Sequence, residues 1–339
     1  MNREAHATSE ARTGLAALEP YVAGMTWGWT GVRGTWAAPE AAESMRLMAE
    51  HGVNWTALAY AAEQATAQST EIPFRDAPTV TDDEVVGAIR AAKALGLRVC
   101  LKPVVNVADG TWRAYIGFFD WDVPGEPNWG EWFGAYRAFI VNAARLAEAE
   151  GCEMLCIGCE MVRADSREAE WRELVAAVRE VYSGLVAYNC DKYQEDHLTW
   201  WDAVDVITSS GYYPIDRWEV ELDRIERVVG AAGKPFLFME AGCPSRVGSA
   251  QRPNDWSLAG APSGDEQLRY YRAMFAACDA RDWMRGFMLW DWPPRLFAAS
   301  DAAGDDDYCP FGKPAGAFLR ETYLARVGGR HEREAASGT

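Results

Sequence analysis

Two glutamates stand where a carboxylate needs a reason. The stretch Glu153–Met161 reads EMLCIGCEM: an apolar run, Met154–Ile157, then Gly158 and Cys159, then Glu160. Pro235–Gly242 reads PFLFMEAG and repeats the pattern around Glu240. A buried charge is costly unless it is paired or given a task. One such glutamate reads most simply as a strand-end charge emerging into water. Two of them, each closing an apolar run, make a candidate pair for proton transfer and nucleophilic attack.

The elements around them decide whether the two can meet. Apolar, β-rich runs alternate with helical patterns along all 339 residues. The expected strands are Tyr21–Gly28, Val53–Ala61, Arg98–Asn106, the run before Glu160, Leu185–Asp191, Val204–Pro214, Lys234–Gly242 and Arg285–Pro293. Between them lie helices, one opened by Pro39 and closed by Gly52, another opened by the capping box Thr81/Glu84 and closed by Gly96. A short helix is expected over 195–203 and the last one over 315–326. The strands are apolar on both faces, as in a sheet covered by helices. Eight strand–helix units predict an α/β chain closed as a single (β/α)8 barrel over residues 20–326, with a polar flexible leader at 1–19 and a flexible tail at 327–339. An open doubly wound sheet is the competing architecture, but no Gly-rich phosphate turn follows strand 1.

In such a barrel the working face is the C-terminal end of the strands. That rim collects Trp27 from strand 1, Lys102 and Asn106 from strand 3, Glu160 from strand 4 and Asn189 from strand 5. Strand 6 adds Tyr212 and Tyr213, strand 7 adds Glu240, and strand 8 adds Trp290, Asp291 and Trp292. Strands 4 and 7 lie across a closed barrel from each other, so Glu160 and Glu240 are expected to face one another. Two carboxylates, two amides and several aromatics on one rim are the equipment for cleaving a carbohydrate. A retaining glycosidase needs its two carboxyls roughly 5–5.5 Å apart. The alternative from another class is a sugar-binding barrel without turnover.

The local words carry a resemblance. IGCEM at Ile157–Met161, MEAGCPS at Met239–Ser245 and the loop GSAQRPNDW at Gly248–Trp256 resemble glycoside hydrolase family 113, in clan A of these enzymes, over roughly residues 20–326. The resemblance implies a retaining enzyme acting on β-1,4-linked mannose-containing oligosaccharides without a cofactor, with Glu160 as acid/base and Glu240 as nucleophile. It implies that Tyr212 or Tyr213 hydrogen-bonds the nucleophile and that Trp290 forms the floor under the sugar. It also implies that Lys102, Asn106 and Asn189 hold hydroxyls; Trp27, from its place on the rim, is expected to be a further substrate contact. Cys159 stands where many clan members carry an asparagine that contacts the sugar 2-hydroxyl. Glucan or xylan cleavage is the alternative within the clan.

Other signals are weaker. Cys152, Cys156 and Cys159 have the spacing of an iron–sulfur motif, but strand alternation is expected to send Cys156 and Cys159 to opposite faces. The acidic run Ser300–Tyr308 could group carboxylates around calcium, yet it lacks EF-hand spacing and reads as a surface loop. The four histidines have no paired spacing for zinc, so no metal is expected. No nucleophile-elbow word supports a serine triad. Trp200 and Trp201 read as core. Of Trp112, Trp121, Trp129 and Trp132, in and after the long loop following strand 3, at least one is expected to face sugar. A net charge of −17 argues against nucleic acid and anionic membrane surfaces, and no apolar run is long enough to cross a bilayer. Eight cysteines without an export signal lead to the expectation of a cytoplasmic protein with an oligosaccharide as its partner.

Overall fold

The computed structural model describes residue 16 and residues 18–337, with side chains as far as residue 327. The leader expected at 1–19 lies almost wholly outside the described residues. Eight parallel strands pair in chain order and close into a barrel. They are β1 Val22–Trp27, β2 Trp55–Gln64, β3 Arg98–Val107, β4 Met154–Cys159, β5 Leu185–Cys190, β6 Val206–Gly211, β7 Phe236–Ala241 and β8 Met284–Trp292. The helices are α1 Pro39–Ala49, α2 Asp82–Ala94, α3 Trp129–Ala149, α4 Glu168–Arg179, α5 Trp218–Ala232, α6 Gly264–Asp279 and α7 Pro314–Ser337. The (β/α)8 expectation therefore holds, and α7 continues well past residue 326.

One unit departs from it. Between β5 and β6 the expected short helix is only a 3-10 turn, Trp201–Ala203. Trp200 and Trp201 are both buried, and their indole N–H groups donate to the carbonyls of Asp165 (2.9 Å) and Glu195 (2.8 Å). These two hydrogen bonds hold both indoles against the core from a single short turn. Trp200 stacks on Trp171 of α4 at 5.1 Å.

Elsewhere local sequence and structure agree. Thr81 Oγ1 accepts from Glu84 N at 3.2 Å while Glu84 Oε2 accepts from Thr81 N at 2.9 Å, closing the capping box of α2. Inside the barrel, Val22, Trp55, Ala57, Cys100, Met154, Cys156, Leu185, Ala187, Val206, Leu237, Met239 and Met288 pack into a plug. Burying each of the larger of these side chains contributes about 1.5–3 kcal/mol. The plug makes the barrel solid below and leaves a mouth at the C-terminal ends of the strands. A larger cluster between strands and helices completes the core.

Candidate active site

The side chains that reach the mouth are selected by strand alternation, and register shifts beside the two glutamates modify it. On β4, Met154 and Cys156 belong to the plug, whereas Leu155 and Ile157 face the helices. The register against β5 shifts between Cys156 and Cys159. A Cβ on Gly158 would meet Trp171 and Tyr188 ring carbons at 2.8 Å, so Gly158 also faces outward and only a glycine fits. Cys159 therefore turns inward and its Sγ lies 3.2 Å from Glu240 Oε1. This corrects the expectation that Cys156 and Cys159 point to opposite faces: the extra residue of the bulge brings both inside. Glu160 follows with φ 54°, a left-handed conformation that is strained for a glutamate. Its N–H donates to Asn189 O at 2.8 Å, which fixes that turn.

On β7, Leu237 and Met239 belong to the plug, so strict alternation would send Glu240 outward. The register shifts, pairing Ser209 with Phe238 and Ser210 with Glu240, and Glu240 enters the mouth instead. There it is almost fully buried and well bonded. Tyr212 Oη donates to Oε2 at 2.9 Å, and Lys102 Nζ forms an ion pair with Oε1.

The two glutamates are joined beneath the mouth by a chain of hydrogen bonds. Lys102 Nζ also donates to Asn189 Oδ1 at 3.3 Å; Asn189 Nδ2 donates to Ser210 Oγ at 2.9 Å; Ser210 Oγ donates to Glu160 Oε1 at 2.8 Å. On its other oxygen Glu160 accepts from Trp112 Nε1 at 3.4 Å, and Arg113 Nη2 lies 3.7 Å away. The environments of the two carboxyls push in opposite directions. Burial raises the pKa of Glu160, and the negative charge on Glu240 raises it further against the pull of Arg113. Burial would raise Glu240 as well, but the Lys102 and Arg113 cations and the hydrogen bonds from Lys102 and Cys159 outweigh it and hold Glu240 down. The surroundings thus favour the protonated form of Glu160 and the ionised form of Glu240, an asymmetry of the kind an acid and a nucleophile need.

Both line a cavity of about 510 Å³ to which every strand or its following loop contributes. Around it stand Trp29, Glu63, Asn106, Trp112, Arg113, Asp191, Tyr212, Asn254, Trp256, Trp290 and Tyr308. Asn106 and Trp290 are where the sequence put them, on the cavity wall, and Tyr212 is the tyrosine bonded to Glu240. Four expected substrate contacts are not on the wall. Trp27 falls an odd number of residues after Val22, so it faces the helices, where it is fully buried and its Nε1 donates to Ser44 Oγ at 3.2 Å. Tyr213, next to Tyr212, faces outward for the same reason and bonds buried Glu195 at 2.5 Å. Lys102 and Asn189 do point inward but lie below the cavity, with no exposed surface, and their side chains bond Glu240, Ser210 and each other. Trp129 and Trp132 are core residues of α3, whereas Trp112 reaches the cavity.

Several residues of the site were missed. Ser210 stands two positions before Tyr212 and so shares its face, a signal present in the sequence. Trp29, Glu63, Asp191, Arg113, Asn254, Trp256 and Tyr308 come from strand ends and loops whose shapes a pattern does not fix. Asp191 is pushed up to about 8 by its burial and by the charge on Glu160. The acidic run Ser300–Tyr308 has a cation of its own: buried Lys313 Nζ donates to Asp305 Oδ1 (2.5 Å), Asp307 O (2.8 Å) and Ser245 Oγ (2.7 Å). This ammonium ties the loop after β8 to the loop after β7, and Tyr308 Oη donates to Pro253 O at 2.5 Å. Among the described residues no group of three or more metal-binding side chains comes together, and no helix is long and apolar enough to cross a membrane.

The model of Glycoside Hydrolase Family 113 matches residues 25–313. The chain belongs to this family. A solved GH113 β-1,4-mannanase, in a complex structure, is 51% identical over 90% of this chain and 99% of its own, with a TM-score of 0.89. The GH113 β-mannanase of Alicyclobacillus acidocaldarius, in complex with ManMIm, is 45% identical over 91% of this chain and 99% of its own, with a TM-score of 0.88. A β-glucuronidase of Ruminococcus gnavus shares the fold alone, at 14% identity, with a TM-score of 0.58 and coverage of 89% of this chain and 49% of its own. No curated protein matches.

Proposed function

We propose that this family 113 chain is a retaining β-glycosidase that cleaves β-1,4-linked mannose-containing oligosaccharides by double displacement. The observation that carries the reading is the pair Glu160 and Glu240 in one cavity, with environments that shift them in opposite directions. Glu240, ionised and oriented by Tyr212 and Lys102, attacks the anomeric carbon. The C–O bond to the leaving group breaks as Glu160 gives its proton to the departing oxygen. Glu160, now ionised, takes a proton from water, and that water releases the sugar from Glu240. The β-1,4-mannanase and β-mannanase named among the structural neighbours support the choice of sugar. The cavity volume suits a short stretch of sugar units. A cytoplasmic location is part of the same proposal; its support is the eight cysteines, all buried and free thiols, and cell fractionation tests it.

The test of mechanism is hydrolysis of manno-oligosaccharides beside gluco- and xylo-oligosaccharides, with the anomeric form of the first product followed in time. Mannose-linked substrates are expected to be preferred and the β-anomer to appear first. Glu240→Ala should lose at least about 10³-fold in kcat, with turnover restored by azide as an inverted glycosyl azide. An α-anomeric first product, or a Glu240→Ala enzyme that still turns over, would overturn the reading.

A further inference from the structure

The loop between β3 and α3 carries more aromatic surface than its own packing uses. Ile116 is buried and Phe118 packs against Trp129 of α3 at 5.1 Å, which anchors the loop. Four other rings point to solvent: Trp112 is 40% exposed, Tyr115 52%, Phe119 55% and Trp121 69%. Single exposed aromatics need no explanation, but grouped ones mark interaction surfaces. These are grouped in pairs. Trp112 and Tyr115 meet edge to face at 5.9 Å, and Phe119 and Trp121 lie nearly parallel, 27° apart with centroids at 6.3 Å.

The first pair begins at the cavity, since Trp112 lines it and donates to Glu160. The second pair lies outside the cavity wall, further along the same loop, and is flanked by exposed Asp120, Asp122 and Glu126. Flat apolar faces suit the CH faces of pyranose rings, and the acidic flank repels anionic polymers. A surface that continues an active-site loop is best placed to hold a part of the molecule being cut.

We propose that Phe119 and Trp121 form a secondary platform for the distal end of a neutral β-linked glycan chain that is longer than the cavity and whose nearer part occupies it. This rests on the glycosidase reading above and deepens it: chains longer than the cavity gain affinity from the loop, while short ones do not.

The test is the double variant Phe119→Ala/Trp121→Ala. Both side chains are exposed and outside the catalytic wall, so the melting temperature and kcat/KM on mannotetraose should match wild type. On long soluble galactomannan kcat/KM should fall about tenfold, the size expected for losing an aromatic stacking contact. Retardation of the full-length protein in a native gel containing galactomannan should weaken in parallel. Equal rates on the long polymer would overturn the proposal, and so would an equal loss on both substrates. Sedimentation covers the competing occupant: a wild-type dimer that the variant converts to monomer assigns the patch to a second copy of the chain and overturns it. If the wild type cleaves no β-linked chain, the glycosidase reading fails, and gel retardation still decides the platform by itself.

Discussion

At the residue scale the decisive arrangement is a cation placed under one carboxylate only. Lys102 has no exposed surface and shares its ammonium between Glu240 and Asn189. A buried ion pair of this kind is weak evidence for stability, but it strongly biases which partner is charged. Lys102→Met is therefore expected to raise the pKa of Glu240, because burial then acts with less opposition. A nucleophile is active only when ionised, so the acidic limb of the kcat/KM profile moves to higher pH, and the ratio of rates at about pH 5 and pH 7 falls by roughly tenfold. A pH–rate profile of unchanged shape in a folded Lys102→Met enzyme would show that the lysine does not set the charge. The two glutamates, Trp290 and Asn106 were legible in the sequence because each ends an apolar strand. The choice of Tyr212 over Tyr213 was legible too, by counting twos from Val206, as was the outward turn of Trp27 from Val22. Lys102 and Asn189 were read one level too high, because a pattern gives the face of a strand and not the depth at which the cavity begins.

At the scale of elements, both working strands need one residue more than regular pleating provides. The bulge on β4 depends on Gly158 lying against Trp171 of α4 and Tyr188 of β5, and it sets the position of Glu160. Gly158→Ala places a Cβ 2.8 Å from both rings. Overpacking of this kind costs about 1–3 kcal/mol, or a drop of roughly 1–4 °C in melting temperature for a chain of this size. The same displacement moves Glu160, so kcat should fall more than KM rises. A Gly158→Ala enzyme with wild-type melting temperature and kcat would show that the bulge does not position the acid. The eight strands themselves were readable from apolar runs and their Gly, Pro and capping punctuation. The bulges were not; the one on β4 lies against rings that come from other elements, Trp171 and Tyr188. The missing helix between β5 and β6 was hidden in the same way: EDHLTWWDA has helical composition, and only the neighbouring Trp171 stack shows that both tryptophans must turn inward.

At the scale of the whole molecule, the barrel keeps acidic groups out of water around its mouth. Burial pushes Asp165 up to about 7 despite the hydrogen bond it accepts from Tyr188. Asp291 is pushed up to about 8 by burial and then by the charges of Asp307 and Glu240, and Asp191 also to about 8. In the unfolded chain such groups ionise near about 3.9. Between that value and about 7–8 the native state therefore binds more protons than the unfolded state, and stability falls as pH rises through this window. Glu240, held down, acts in the opposite sense, but its contribution is lost only at pH values below the ordinary carboxylate range. The melting temperature is thus expected to decline from about pH 5 to about pH 8 and then to level off. Asp165 isolates the effect, since it lies off the cavity wall and its Oδ2 is buried without a partner. Asp165→Asn keeps an oxygen for Tyr188 and removes the charge. Its melting temperature should match wild type near about pH 4 and exceed it by about 3 °C or more near pH 8, with activity unchanged. A variant whose advantage is the same at both ends of that range would place the cause in packing and not in the buried charge.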